Sequence, residues 1–315
     1  MKYIQFFLFY ILTIHNSLFA NDDIENLCKK FSIHLQQSEI SLNINDDTSF
    51  KSGVLWKVIT PRKKTNYLFG TIHSQDYTVS KIPTDVSFAL TKSKKLILEI
   101  IPNNEANLIY LNEMYFKNGE RLDNLLEKTL FRKFVEQAKQ YNLSNKELNN
   151  IKYMKPWAAF NLIGRPKPTR APTLESNLLK FAKQEMMEID SLENMDDIIS
   201  SLEKLSTEDQ LNILRDTVCN RNSITNDIKM LINFYIKRDA ISILNLTNKK
   251  HANASIYDRY MQEMLHNRNI KMLKKISGEF EKGNVFVAVG ILHLISKHGL
   301  LEKLYNKGYV IEEIY

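Results

Sequence analysis

Short apolar runs typical of buried β-strands lie near both ends of the chain, on either side of a long helical region. The runs at 54–59 and 67–72 flank a turn and predict a hairpin, and a third run covers 95–101. Two more strand-like runs, 285–289 and 309–314, follow the helical region. Because strands at both ends must share a core, the order predicts one α/β domain: a mixed central sheet formed by N- and C-terminal strands, with a large helical insertion.

The middle of the chain carries helical periodicity. Ser144 and Glu147 form a capping-box pattern, a second helix is predicted to begin at Ser206, and another covers 174–183. A short strand is predicted at 186–190, directly after that last helix. No repeat of 20 to 50 residues is present, which argues against solenoids and propellers.

The N-terminus has the pattern of a sorting signal. A mostly apolar run at 3–12 follows Lys2, and Ala20 supplies a small residue for cleavage, which predicts a secretory signal peptide at 1–20. We expect a lead-in helix and linker at 21–50 and the folded domain at 51–315. The alternative is an uncleaved signal anchor. No later segment reaches 18 uncharged apolar residues, so we expect no stable membrane span after cleavage and a secreted or periplasmic protein.

Charge and cysteine content narrow the classes further. The net charge of +7 is spread along the chain, without a basic block or an aromatic-basic stripe, so we expect a solvated surface and no nucleic-acid partner. Cys28 and Cys219 can form at most one disulfide, and the sequence leaves open whether they do.

A Gly-x-x-His pattern occurs twice, at 70–73 and at 290–293, each time at the end of a predicted strand. The carboxyl ends of strands in α/β sheets are common places for active sites, and the glycine permits a close backbone approach. If the two strands are neighbours, His73 and His293 come together as metal ligands or acid–base groups. Taken singly, each histidine is more simply explained as a structural hydrogen-bonding group.

Acidic and basic side chains could complete such a site. Glu99 ends an apolar strand, where a buried charge needs a partner, and Glu193 stands in the same relation to the strand at 186–190. Asp76 is a further acceptor, and Arg259 could stabilise a developing oxyanion. The alternatives are a structural ion pair for Glu99, a helix-start carboxylate for Glu193, a turn residue for Asp76 and a surface cation for Arg259.

The two Gly-x-x-His segments with their flanking strands resemble the motifs of the TraB/PrgY/GumN family, which includes the TIKI metalloproteases. The opening segment is Val54–Val58 with Tyr67–His73, and the closing segment is Val287–Leu294 with Gly299–Leu301 and Gly308–Val310. The resemblance covers roughly residues 50 to 315. It implies a TIKI/TraB-like α/β fold with a divalent-metal site for peptide-bond hydrolysis.

By position, the resemblance implies metal ligation by His73, His293 and Glu99, catalytic roles for Glu99 and Glu193, and transition-state support from Arg259. The metal would be Mn, Co or Zn, and no other cofactor is implied. The hypothesis is an exported metal-dependent hydrolase with a peptide or protein substrate.

Departures from the family pattern keep other functions open. Ile101, Ser191 and Ser296 replace residues common in the family, and Tyr260 stands where an asparagine follows the arginine. These departures motivate an alternative, a non-catalytic protein that binds a peptide or envelope component in the same cleft. A structural envelope protein is a third possibility, in which both histidines would tolerate substitution.

Overall fold

The computed structural model describes residues 24–31, 49–247 and 253–315. The predicted signal peptide at 1–20 lies outside the described residues, as does most of the lead-in at 21–50. The described part of the lead-in is a short helix at 24–29, which we label α1.

Six strands form one mixed sheet in the spatial order β4-β3-β5-β2-β1-β6. β5 pairs in parallel with β2 and β3, and β3 pairs in parallel with β4, whereas β1 runs antiparallel to β2 and β6. The predicted mixed sheet of N- and C-terminal strands is thus confirmed. The strands are β1 Leu55–Ile59, β2 Thr65–Thr71, β3 Lys95–Leu98, β4 Glu188–Ser191, β5 Val285–Gly290 and β6 Val310–Glu313.

A turn joins β1 to β2, whereas helices fill the other connections between strands, and most of them lie between β3 and β5. Three-residue 3-10 turns at Lys139–Tyr141 and Ile151–Tyr153 and a π-helical turn at Gln262–His266 interrupt the series. The helices are α2 Tyr77–Ser80, α3 Thr84–Thr91, α4 Asn104–Glu113, α5 Leu122–Leu125, α6 Lys128–Ala138, α7 Asn145–Asn150, α8 Pro156–Gly164, α9 Leu174–Gln184, α10 Met195–Glu203, α11 Thr207–Cys219, α12 Arg221–Ile236, α13 Ala240–Thr247, α14 Ala254–Met261, α15 Asn267–Phe280, α16 Ile291–Leu294 and α17 Leu300–Tyr305.

Two groups of buried apolar side chains organise the packing. The first surrounds the sheet, where β5 is buried along its whole length because helices cover both faces of its parallel strands. The second lies among helices of the insertion and includes Leu130, Phe134 and Trp157. Within the described residues, no helix is both long and apolar enough to cross a membrane.

Two predicted helix starts are confirmed, whereas the strands β3 and β4 are shorter than predicted. The capping box of Ser144 and Glu147 is present at the start of α7, and Ser206 caps α11. β4 begins two residues later than predicted because Met186, with φ of 52°, is part of the left-handed turn that ends α9. β3 ends at Leu98, three residues before the predicted end at 101.

A disulfide joins Cys28 in α1 to Cys219 at the end of α11. The side chains of Ile24 and Leu27 pack against the helical core beside it, and Asn220 donates a hydrogen bond to the carbonyl of Phe31 at 2.8 Å. The cross-link therefore attaches the segment 24–31 to the helical insertion, which settles the pairing that the sequence left open.

Candidate active site

Four neighbouring parallel strands direct their carboxyl ends to one edge of the sheet. Glu193 follows β4, Glu99 follows β3, His293 follows β5 and His73 follows β2, so that adjacent strands each supply one side chain. The backbone N–H of Glu99 donates to the carbonyl of Ala288, and that of Glu193 donates to the carbonyl of Glu99, both at 3.0 Å. These bonds extend the ladder beyond the strands and fix the two carboxylates side by side.

The carboxylate of Glu99 lies between the two imidazoles. Its Oε2 is 3.7 Å from Nε2 of His73, and its Oε1 is 3.7 Å from Nε2 of His293. Glu99 and His293 are buried, whereas the side chain of His73 is 60% exposed, so the cluster is open to solvent on the His73 side. The backbone N–H of Gly290 also donates to Glu99 Oε2, at 3.0 Å.

The other ring nitrogen of each histidine faces a different polar partner. Asn269 donates its amide N–H groups to the carbonyls of His293 and His298, which turns its Oδ1 toward His293 Nδ1 at 2.7 Å. His293 therefore carries its proton on Nδ1 and presents the Nε2 lone pair to the cluster. His73 Nδ1 lies 2.8 Å from Oε1 of Glu175, a residue in the first turn of α9.

Arg268 bridges the two acidic residues. Its Nη2 lies 2.6 Å from Glu99 Oε1 and 2.6 Å from Glu193 Oε2, and its Nε donates to Glu193 at 3.0 Å. Nη1 donates to the carbonyl of Met264 in the π-helical turn. All three charged side chains are buried, so each depends on the others for neutralisation.

The charges set distinct protonation preferences. Burial disfavours ionised Glu99, but His293, His73 and Arg268 hold its pKa well below the usual range. Burial raises the pKa of Glu193, in spite of Arg268. Burial also lowers the pKa of His293 to about 4, which keeps this ring neutral near pH 7.

His73 differs from His293 in charge preference. The surrounding protein disfavours a charged His73 ring, but the carboxylates of Glu175 and Glu99 outweigh this effect and raise its pKa well above the ordinary value. Because the side chain is 60% exposed, water screens part of this attraction.

Steric contacts explain why glycine stands at the first position of both Gly-x-x-His motifs. A Cβ on Gly70 would lie 2.3 Å from Cδ1 and 3.2 Å from Cα of Ile291, so glycine lets α16, which carries His293, pack closely on β2. A Cβ on Gly290 would enter the cluster, 3.3 Å from His73 Nε2 and 3.4 Å from Glu99 Oε2. The second glycine therefore keeps open the space between the imidazoles and the carboxylate.

The structure brings together four of the side chains singled out in the sequence: His73, His293, Glu99 and Glu193. It does not bring in Arg259, whose guanidinium pairs with Asp209 at 2.6 Å on an exposed part of α14.

The arginine of the cluster is Arg268, nine residues after Arg259, and Asn269 follows it directly. Arg268 stands on the buried face of α15, four residues before Met272 and eight before Ile276. A charged residue in line with apolar ones was the signal that could have identified it.

The sequence singled out Asp76 but not Glu175. Asp76 caps α2 and accepts the backbone N–H of Thr78 at 2.8 Å, so it acts as the turn residue that the alternative described. Glu175 was missed, because a carboxylate in the first turn of a helix is ordinary in sequence and its contact with His73 comes only from the fold.

The donor set can be tested for a divalent metal. In the described residues, no group of three or more His, Cys, Asp or Glu side chains is arranged to hold an ion as it stands. The chemistry of the donors nevertheless fits: His293 presents a free Nε2, Glu99 is an ionised carboxylate, and both histidines have polar partners at Nδ1 as metal-binding imidazoles do. Ligands about 2.0–2.2 Å from a shared ion can lie up to about 4.3 Å apart, a limit that both 3.7 Å separations meet.

Comparison with known proteins identifies the family of the chain. The model of the TraB/PrgY/gumN family matches residues 54–313, which include every strand and all the clustered side chains. A curated relative, "Metalloprotease TIKI2" of Danio rerio, is 24% identical over 321 residues, covering 82% of this chain and 60% of the relative. The chain thus spans less than two thirds of that relative's length. No solved structure matches the chain. From the extent of the family match, the chain belongs to the TraB/PrgY/gumN family.

Proposed function

We propose that this protein is an exported, metal-dependent hydrolase that cleaves peptide bonds. The observation that carries the proposal is the convergence of both Gly-x-x-His imidazoles on the carboxylate of Glu99, with Nε2–oxygen distances of 3.7 Å. The name of the Danio rerio relative supports metal-dependent proteolysis as the chemistry. His73, His293 and Glu99 would hold a divalent cation such as Mn, Co or Zn.

A divalent cation in such a site supplies Lewis-acid polarisation of a peptide carbonyl and activation of water. Glu99, kept ionised by its cationic neighbours, offers negative charge to the ion. Glu193, whose pKa burial raises, is suited to accept a proton during hydrolysis. Arg268 reaches both carboxylates and would offset negative charge that develops on the substrate carbonyl, the role first assigned to Arg259.

A second candidate function follows from the contacts of Arg268. Its guanidinium occupies both oxygens of Glu193 and one oxygen of Glu99, so neither acidic residue is free of a cation. A site held in this state would bind a peptide or envelope component without cleaving it. This non-catalytic function shares the cleft and differs in the fate of the ligand.

Export is part of the proposal. It is supported by the signal-peptide pattern at 1–20 and by the Cys28–Cys219 disulfide, since such bonds persist in oxidising compartments. Expression of the full chain in a bacterial host should yield a periplasmic or secreted product whose first residue is Asn21. A cytosolic product that begins at Met1 would contradict this step.

Cleavage of a peptide library tests the activity. The purified protein is stripped with a chelator, supplied in turn with Mn²⁺, Co²⁺ and Zn²⁺, and incubated with the library, and the products are identified by mass spectrometry. We expect cleavage with at least one metal and none after chelation. The double variant His73→Ala/His293→Ala should be inactive, whereas His298→Ala, at an exposed ring outside the cluster, should cleave normally.

The two candidate functions give different outcomes. Peptides that are retained by the metal-loaded protein and recovered intact would favour the binding function. If no peptide is cleaved with any metal, the hydrolase proposal is wrong.

A further inference from the structure

The two imidazoles of the candidate active site share a motif but differ in what holds them. The ring of His293 is buried and faces a neutral amide, Asn269 Oδ1, at 2.7 Å. The ring of His73 is largely exposed and faces a carboxylate, Glu175 Oε1, at 2.8 Å. The packing that fixes His293 is therefore absent on the exposed side of His73, and another contact must fix this ring.

We propose that Glu175 is the positioning residue of His73, which fixes the exposed ring with Nε2 directed at Glu99. A side chain at the surface samples several rotamers, and each one lost on ordering costs free energy. A carboxylate close to Nδ1 restricts that freedom by charge attraction and keeps Nε2 as the ring nitrogen that faces Glu99. Its consequence for metal binding rests on the proposed function, whereas the ordering of the ring does not.

Glu175 is itself held rigidly. It lies in the first turn of α9, where Thr173 caps the helix by accepting the N–H of Ser176. Leu174 and Leu178 of the same helix are buried in the core that surrounds the sheet. The side chain of Glu175 is only 12% exposed, and the positive end of the helix dipole favours its negative charge.

The backbone around His73 is anchored to the same region by other contacts. Thr169 donates its N–H and its hydroxyl to Gln75, at 2.9 and 2.6 Å. Asn177 of α9 donates to the carbonyl of Ser80 at 2.7 Å. These bonds hold the loop in place without touching the imidazole, so replacing Glu175 should release the ring and leave the loop where it is.

The test compares Glu175→Ala and Glu175→Gln with the native protein. The alanine variant removes the acceptor, and the glutamine variant keeps an oxygen that can accept from Nδ1. Glu185→Gln, at an exposed carboxylate beyond the other end of α9, is the matched control. Urea unfolding of each variant establishes that it is folded.

The first readout is the mobility of the His73 ring in the metal-free protein, measured by NMR relaxation of its carbon–hydrogen bonds. We expect an ordered ring in the native protein and in Glu185→Gln, a mobile one in Glu175→Ala, and partial restoration in Glu175→Gln. Equal ring mobility in the native and alanine proteins would overturn the proposal. Because no metal is present, this result does not depend on the proposed function.

The second readout is the affinity for Mn²⁺, Co²⁺ and Zn²⁺ by calorimetric titration. Loss of a partner that orients a metal-ligating histidine commonly weakens metal binding by about 10–100-fold, and we expect a change of that size in Glu175→Ala. The glutamine variant should lie between it and the native protein. Native affinity in Glu175→Ala, together with lost binding in His73→Ala, would refute positioning. If the native protein binds no metal but its His73 ring is ordered through Glu175, positioning stands and the metal-dependent function fails.

Discussion

At the scale of single residues, Gly290 keeps open the space between the two imidazoles because it has no side chain. Its φ of −51° is accessible to any residue, so alanine there should be tolerated by the backbone. The added Cβ, however, would lie 3.3 Å from His73 Nε2 and 3.4 Å from Glu99 Oε2. If a metal ion binds between the imidazoles, it should raise the unfolding temperature of the native protein. We expect Gly290→Ala to lose this rise while the metal-free midpoint changes by less than about 2 °C.

Gly278→Ala is the control for this change. Gly278 lies inside α15, where a Cβ would meet nothing within 4 Å, and alanine in a helix interior is favoured over glycine by about 0.5–1 kcal/mol. This variant should keep the full response to metal. A normal metal response in Gly290→Ala would show that the space between the imidazoles is not where the ion binds.

Ser296 carries backbone strain beside the second histidine. Its φ of 104° lies in a region that side chains other than glycine rarely adopt. The hydroxyl accepts a long hydrogen bond, 3.3 Å from the N–H of His298. We expect Ser296→Gly to raise the free energy of unfolding by about 1 kcal/mol in urea denaturation. Ser296→Ala, which keeps the Cβ and removes the hydroxyl, should give no gain, and an equal gain in both variants would show that strain is not the cause.

At the scale of secondary-structure elements, Lys95 joins β3, β4 and α15 at the end of the strands opposite the candidate active site. Its ammonium is 2.7 Å from Glu188, 3.3 Å from Asp190 and 3.1 Å from Glu279, and the lysine side chain is only 9% exposed. We expect Lys95→Met to lower the free energy of unfolding by about 2 kcal/mol at pH 7, less than for a fully buried pair because Glu188 and Asp190 reach solvent.

The effect of Lys95→Met should depend on pH. Partial burial disfavours charge on Asp190 and Glu279, but neighbouring lysines lower the pKa of both carboxyl groups. A carboxyl group whose pKa is lower in the folded than in the unfolded chain stabilises the protein at pH values above its unfolded-state pKa, about 4. This contribution is lost as the pH falls through the folded-state pKa. The difference in the free energy of unfolding between the native protein and Lys95→Met should therefore become smaller below about pH 4. Lys94→Met, at the exposed neighbouring position, should have the same free energy of unfolding as the native protein at every pH.

Elements could be predicted from the sequence more completely than the contacts between them. Apolar runs identified the strands at both ends, and capping residues such as Ser144 and Ser206 located helix starts, because these signals are local. The bond from Arg268 to Glu99 joins residues 169 positions apart, and no local pattern encodes such a contact. Likewise, their positions at strand ends predicted Glu99 and Glu193. Arg268, which lies between them, could not be identified in this way because its position depends on how α15 packs on the sheet.

At the scale of the whole molecule, the disulfide is the long-range cross-link. It connects residues 191 positions apart and attaches α1 to the helical insertion. Cross-linking lowers the conformational entropy of the unfolded chain, which in proteins typically amounts to about 2–4 kcal/mol of stability. We expect Cys28→Ala/Cys219→Ala to lose that amount in urea denaturation.

The same variant separates the cross-link from the packing of α1. Ile24 and Leu27 pack against the helical core, and we expect them to do so without the bond. The loss of stability should therefore arise mainly in the unfolded state, so that the denaturant midpoint falls while the folded structure is unchanged. Reductant should shift the native protein to the midpoint of the double variant and leave the variant itself unchanged. Coincident native and variant midpoints without reductant would mean that the bond only tethers α1. Because the candidate active site lies at the carboxyl ends of the parallel strands, whereas the disulfide joins α1 to α11, metal binding by the folded variant should match that of the native protein.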